Sequence, residues 1–152
     1  MMPQMMIAPS DLRLQLVQLY WNQMRDGQWR RLMDWLLRRR PTLERLNQVE
    51  ANNGVRAYAG VQAVALDAIR GTEEQAPAFD RTFHPIGERP RQRWVSIAEA
   101  RLRGTPLPPV QLTEKDGAYY VRDGHHRISV ARALGEAFIE AEVVRIHTGK
   151  LW

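Results

Sequence analysis

The stretch Val110-Gln111-Leu112-Thr113-Glu114-Lys115-Asp116-Gly117-Ala118-Tyr119-Tyr120-Val121-Arg122-Asp123-Gly124-His125-His126-Arg127 decides how this chain is read. Val110–Thr113 and Ala118–Val121 are strand-like runs, and the Asp116-Gly117 pair between them supplies the positive φ of a tight hairpin turn. From about His125 to Leu134 the spacing becomes helical, with Ile128, Ala131 and Leu134 on the inward side and Gly135 as the residue that ends the helix. Arg122-Asp123-Gly124-His125-His126-Arg127 therefore falls where a strand hands over to a helix. The first turn of a helix has unpaired N–H groups and about half a positive charge, so this is a natural place for an anion.

Outward from this stretch the elements alternate. Glu140–Ile146 reads as a final strand. Upstream lie a turn with Pro106, Pro108 and Pro109, and a helix through Trp94, Ile97, Ala98 and Leu102 that closes at Gly104. The segment from Thr72 to Arg93 holds Pro77, Pro85, Gly87 and Pro90 and reads as a long irregular connection. Val61-Gln62-Ala63-Val64-Ala65-Leu66 reads as a strand.

Three helices are expected before it. Ser10-Asp11 caps the first, with Leu12, Leu16, Leu19, Tyr20 and Met24 on one stripe before Gly27. The second carries Trp29, Leu32, Met33 and Leu36 and ends in Arg38-Arg39-Arg40 before Pro41. The third starts at Thr42 as cap, runs through Leu43, Leu46 and Val49, and stops at Asn52-Asn53-Gly54. The order of three helices, then β, loop, α, β, β, α, β, is an α+β arrangement with a small mixed sheet. A helical extension over residues 1–57 and a mixed-sheet domain over 58–152 follow. Trp29 and Trp35 are expected in helix packing, and the open side of the first helix offers a face for a homodimer.

Composition narrows the function. Lys and Arg number 22 against 17 acids, for a net charge of +5, and only Lys115 and Lys150 are lysines. That balance suits phosphates or nucleic acid. Arg30-Arg31 and Arg38-Arg39-Arg40 either solvate a helix or touch a nucleic-acid backbone. There is no cysteine, which excludes disulfides, thiolate metal sites and cysteine nucleophiles. Met1–Ala8 lacks a basic leader and no apolar run approaches a membrane span, so a cytoplasmic protein is expected.

Within the loop each residue has a candidate task. Gly124 lets the backbone approach a ligand, Arg122 and Arg127 can grip phosphate, and His125 or His126 can donate to it or shuttle a proton. Asp123 can cap the helix, hold an arginine or bind a bridging Mg²⁺. The structural alternative has Asp123 as the cap, Gly124 as the turn and the cations in solvent. Zinc is not expected: His125 and His126 are adjacent and point different ways, and His84 and His147 lie at no helpful spacing.

Pro108-Pro109-Val110, Tyr119 through Arg127, and Ser129-Val130-Ala131-Arg132-Ala133-Leu134-Gly135 together resemble the ParB/sulfiredoxin superfamily, and Val64-Ala65-Leu66-Asp67-Ala68-Ile69 resembles its opening strand. The resemblance covers residues 60 to 147. It implies a fold that holds nucleotide phosphates at the loop–helix junction, in a superfamily of CTP-binding partition proteins, ATP-using sulfiredoxins, a free-serine kinase and proteins labelled nucleases. His125 stands where sulfiredoxins have their catalytic cysteine, which excludes that reaction. Gly124-His125-His126-Arg127 replaces the Gly-Glu-Arg-Arg of partition proteins, and the few residues after His147 leave no room for their DNA-binding and dimerisation domains.

The resemblance thus implies ATP or CTP as ligand with Mg²⁺ at Asp123, phosphate contacts from Arg122, Gly124, His126 and Arg127, and catalytic roles for Asp123, His125 and His126. An enzyme built this way would be a nucleotide-dependent phosphotransferase or NTPase. Asp67, Glu73, Glu74 and Asp80 are further candidate acids. The alternatives are a non-catalytic DNA-binding module and a domain that keeps the fold without the ligand.

Overall fold

A computed structural model describes residues 9–149; residues 1–8 and 150–152 lie outside the described residues. The chain is α+β. Its elements are α1 (Pro9–Leu36), β1 (Glu44–Arg45), α2 (Gln48–Asn52), β2 (Val55–Ala65), β3 (Ile69–Thr72), α3 (Arg91–Leu102), β4 (Val110–Lys115), β5 (Ala118–Asp123), α4 (His125–Ala133) and β6 (Phe138–His147). The strands form one mixed sheet in the order β1-β3-β5-β4-β6-β2. Pairs β1/β3, β3/β5 and β4/β6 are parallel, while β4/β5 and β2/β6 are antiparallel. The β4–β5 hairpin turns on Asp116 (φ 52°) and Gly117 (φ 79°), two positive values as its two-residue turn demands.

The amino-terminal half departs from the three-helix expectation. A single helix of 28 residues replaces the first two, passing straight through Gly27. A glycine inside a helix costs about 1 kcal/mol relative to alanine, and here packing requires it: a Cβ on Gly27 would lie 2.8 Å from His84 Cβ and 2.9 Å from Asp80 Oδ2. Nor is the third helix capped by Thr42, which forms a bridge with Asp80. Glu44–Arg45 add instead to the sheet edge as β1, and the short α2 starts from Asn47, whose side-chain oxygen accepts from Val49 N at 3.1 Å. The four-residue β3 has no counterpart in the sequence reading, and β2 starts six residues before Val61, running through residues 57 and 58.

The core joins both halves. Leu16 and Tyr20 of α1 are buried with Trp94, Val95 and Ala98 of α3, Ile128 and Ala131 of α4, and Val64, Val110, Leu112, Val121 and Val143 of the sheet. Tyr20 meets Trp94 edge-on at 5.5 Å, and the Trp94 indole N–H donates to Ser129 Oγ at 2.9 Å, linking α1, α3 and α4. Ala118 and Tyr120, out of step with Tyr119 and Val121, turn to the other side of β5 and pack with Leu46, Ala51 and Ile146.

The carboxyl half of α1 is held by ion pairs rather than by its apolar stripe. Arg81 donates to Asp34 at 2.8 and 3.3 Å, and Arg31 lies 3.4 Å from Asp80. Trp29 and Trp35, expected in packing, are 68% and 73% exposed, because the side of α1 that meets the 80–84 loop carries Gly27, Arg31 and Asp34 instead. Among the described residues no helix is long and apolar enough to cross a membrane.

Candidate functional site

β5 delivers Asp123 to the top of α4, and Gly124 makes the corner at φ 113°, a left-handed conformation that glycine tolerates. The absence of a side chain is needed for packing here: a Cβ would sit 2.6 Å from Val110 Cγ1. No side chain caps α4, so the first-turn amides remain open. They face a cavity of about 260 Å³ lined by Asp123 to Arg127 on one side, by Arg93 and Ile97 of α3, and by the 75–79 loop.

Asp123 is 65% exposed and does not cap the helix; its Oδ2 accepts from Arg127 at 3.2 Å. Arg127 is 12% exposed. Beside that carboxylate, its Nη1 donates to the carbonyls of Pro108 and Pro109, the latter at 3.1 Å. The guanidinium expected to grip phosphate is thus committed to fastening the Pro-rich turn to the helix. Arg122 is exposed and does not line the cavity. Arg93, which the sequence reading passed over as part of an irregular segment, is the other cation at the cavity. Its place two residues into a helix was the available signal.

Both histidines are brought to the cavity and both are held neutral. His125 Nε2 lies 2.8 Å from Thr72 Oγ1. With the Thr72 hydroxyl donating to Val121 O at 3.2 Å, the imidazole donates from Nε2 and leaves Nδ1 as the acceptor; with the hydroxyl donating to Nε2, the tautomer is reversed. Burial lowers the His125 pKa, with the charges of Asp123 and Glu74 opposing. His126 meets the Phe79 ring edge-on at 5.0 Å, and burial, then the charge of Arg93 and the neighbouring His125, push its pKa down to about 4. Neither of these two imidazoles is poised to exchange a proton near neutral pH, because desolvation outweighs the nearby acids.

The remaining acids go elsewhere. Glu73 is buried, accepting from Thr113 Oγ1 and from Arg56 at 3.2 Å. Asp80 braces its own loop, accepting from the amides of Thr82 and His84, each at 2.9 Å; burial pushes its pKa up, but the bonds from His84 and Thr82 leave it lowered. Glu74 is exposed, and Asp67 lines a different cleft. Among the described residues no three His, Asp or Glu side chains converge on a metal site. Asp123 alone, tied to Arg127, does not make a protein cage for Mg²⁺.

The α+β class rests on the chain's own mixed sheet and helices. No family model matches the chain, and no curated protein does. Among solved structures it is similar to the crystal structure of sulfiredoxin from Arabidopsis thaliana, with 18% identity over 55% of this chain and 82% of that chain and a TM-score of 0.41.

Proposed function

We propose that the chain binds a nucleotide or another phosphate-bearing ligand at the amino terminus of α4. The observation that carries this reading is the uncapped first turn lining a cavity that exposed Arg93 also lines. Open amides and an arginine are two of the donor types that anions select. A volume of about 260 Å³ lies below the roughly 300–1,000 Å³ of pockets that enclose a whole small ligand. It suits the phosphate end, with the rest of the molecule outside. In this reading the amides of His125 to Arg127 and the Arg93 guanidinium contact phosphate oxygens, neutral His126 donates one hydrogen bond, and Arg127 and Thr72 position the junction from behind.

Phosphotransfer or NTP hydrolysis would draw on Asp123, the one carboxylate lining the cavity. Calorimetry with ATP, CTP and GTP on the full chain tests binding: Arg93→Gln should weaken it about tenfold, as expected for loss of one charge-assisted contact. Equal affinity in that variant, or no binding of any of the three, sinks the reading. The DNA-binding alternative draws support from the exposed Arg38, Arg39 and Arg40; it predicts duplex binding with a steep salt slope and no effect of nucleotide.

A further inference from the structure

A second, larger cleft of about 1330 Å³ opens between the chain following α1, strand β3, the 75–86 loop and the side of α4. Six arginines line it: Arg39, Arg40, Arg45, Arg70, Arg81 and Arg132. Its carboxylates are only Glu44, which accepts from the Tyr120 hydroxyl at 3.3 Å, and Asp67. Arg81 is paired with Asp34, whereas among the described residues the other five have no carboxylate within ion-pair distance. Six cations gathered in one recess with two carboxylates repel one another on balance, and a bound anion relieves that cost.

Arg132 makes the case specific. Its Nη2 donates to Leu66 O at 2.8 Å and its guanidinium lies 5.3 Å from the centre of the Phe83 ring, yet its Nε–H is buried with no partner. An unsatisfied buried donor on a charged group is expensive, and burial lowers this arginine's pKa, with the charges of Asp67 and Asp80 opposing. Leu43, Ile69, Phe79 and Ile86 add an apolar lining to the same recess.

We propose that this cleft is a binding site for a compact molecule bearing two or more phosphate groups, with Arg132 as its inner cation and Arg70 of β3 as a cation at its rim. Guanidinium forks match phosphate oxygens in pairs, so several unpaired arginines select a ligand with several phosphates. The cations line a recess rather than a continuous stripe, which favours a compact polyanion over a nucleic-acid backbone. The site stands apart from the α4 terminus: the two recesses share Gln75, Ala76, Pro77 and Phe79, but neither Arg70 nor Arg132 lines the smaller one, and Arg93 does not line the larger.

The test uses the full chain carrying Arg93→Gln, so that the α4 site is weakened in every arm, and reads binding of inorganic tripolyphosphate and of ATP by calorimetry. That chain should bind tripolyphosphate, and adding Arg70→Gln or Arg132→Gln should weaken the binding about tenfold each. Arg70 is exposed, so its variant keeps the test decisive should Arg132→Gln fail to fold. ATP binding more tightly than tripolyphosphate assigns the apolar lining to a nucleoside; equal affinities assign the site to the phosphate chain alone. Absence of binding to both probes, unchanged affinity in Arg70→Gln, or binding of duplex DNA alone overturns the proposal. Loss of nucleotide binding caused by Arg93→Gln alone concerns the α4 reading and leaves the cleft to be judged by Arg70.

Discussion

The α4 terminus and the arginine cleft share part of one loop, yet one is written in six consecutive residues and the other is gathered from α4, β1, β3 and the loops flanking them. In the consecutive motif the most suggestive residues are engaged by the fold itself: Gly124 makes room for Val110, and Arg127 fastens two proline carbonyls. In the cleft five arginines make no ion pair among the described residues, although Glu44 and Asp67 share the lining. A cation beside a strand–helix corner finds several acceptors within reach, while in the open recess even Arg132, bonded to Leu66 O, keeps an unpartnered Nε. The contrast teaches that a motif's residues can be those that build a corner; in the proposed reading, ligand contact is left to backbone amides and to Arg93 on a neighbouring helix.

The strongest way to break this comparison is Gly124→Ala. A Cβ 2.6 Å from Val110, on a backbone at φ 113°, should cost about 3 kcal/mol, read as a large fall in the denaturation midpoint. A stable variant would mean that the corner is looser than described. Arg127→Ala should lower stability by about 2 kcal/mol through the loss of its bonds to Pro108, Pro109 and Asp123. Arg93→Gln should leave urea unfolding unchanged, and the reverse pattern would restore Arg127 as the ligand cation.

His126 supplies a pH signature of smaller size. Its pKa is about 4 in the folded chain against an ordinary 6.5, so the unfolded chain takes up a proton first. The stabilisation is fully present above about pH 6.5 and is lost as pH falls toward 4; discounted for its partial exposure, it is about 1 to 2 kcal/mol. His126→Phe should flatten the unfolding free energy across that window. The smallest effect belongs to Trp35→Ser: at 73% exposure it should change stability by less than about 0.5 kcal/mol. If the exposed α1 face pairs two copies, the same variant reduces self-association in sedimentation runs.

What the sequence made legible is local. Asp116-Gly117 specified its hairpin, Gly135 the end of α4, and Trp94 with Ile97 and Ala98 the inward side of α3. Gly27 misled because its signal for ending a helix is the same as its signal for close approach, and only the distant His84 and Asp80 distinguish them. β1 and β3 were hidden by brevity: two and four residues carry no alternation to detect, and Gly71 faces Glu44 O, 1.9 Å from where a Cβ would stand. The cleft was illegible because the sequence positions of its cations span Arg39 to Arg132, a closeness that exists only after the sheet has formed.

Strand β2 closes one end of the sheet with Val55, Tyr58 and Val61 exposed, and its ladder with β6 is broken by a bulge between Tyr58 and Gly60. An uninterrupted apolar border of eleven residues would be a template for another chain to add a strand, the first event in aggregation. The kink at Gly60 and the charge of Arg56 interrupt that template, so the break in the ladder disfavours strand addition at this border.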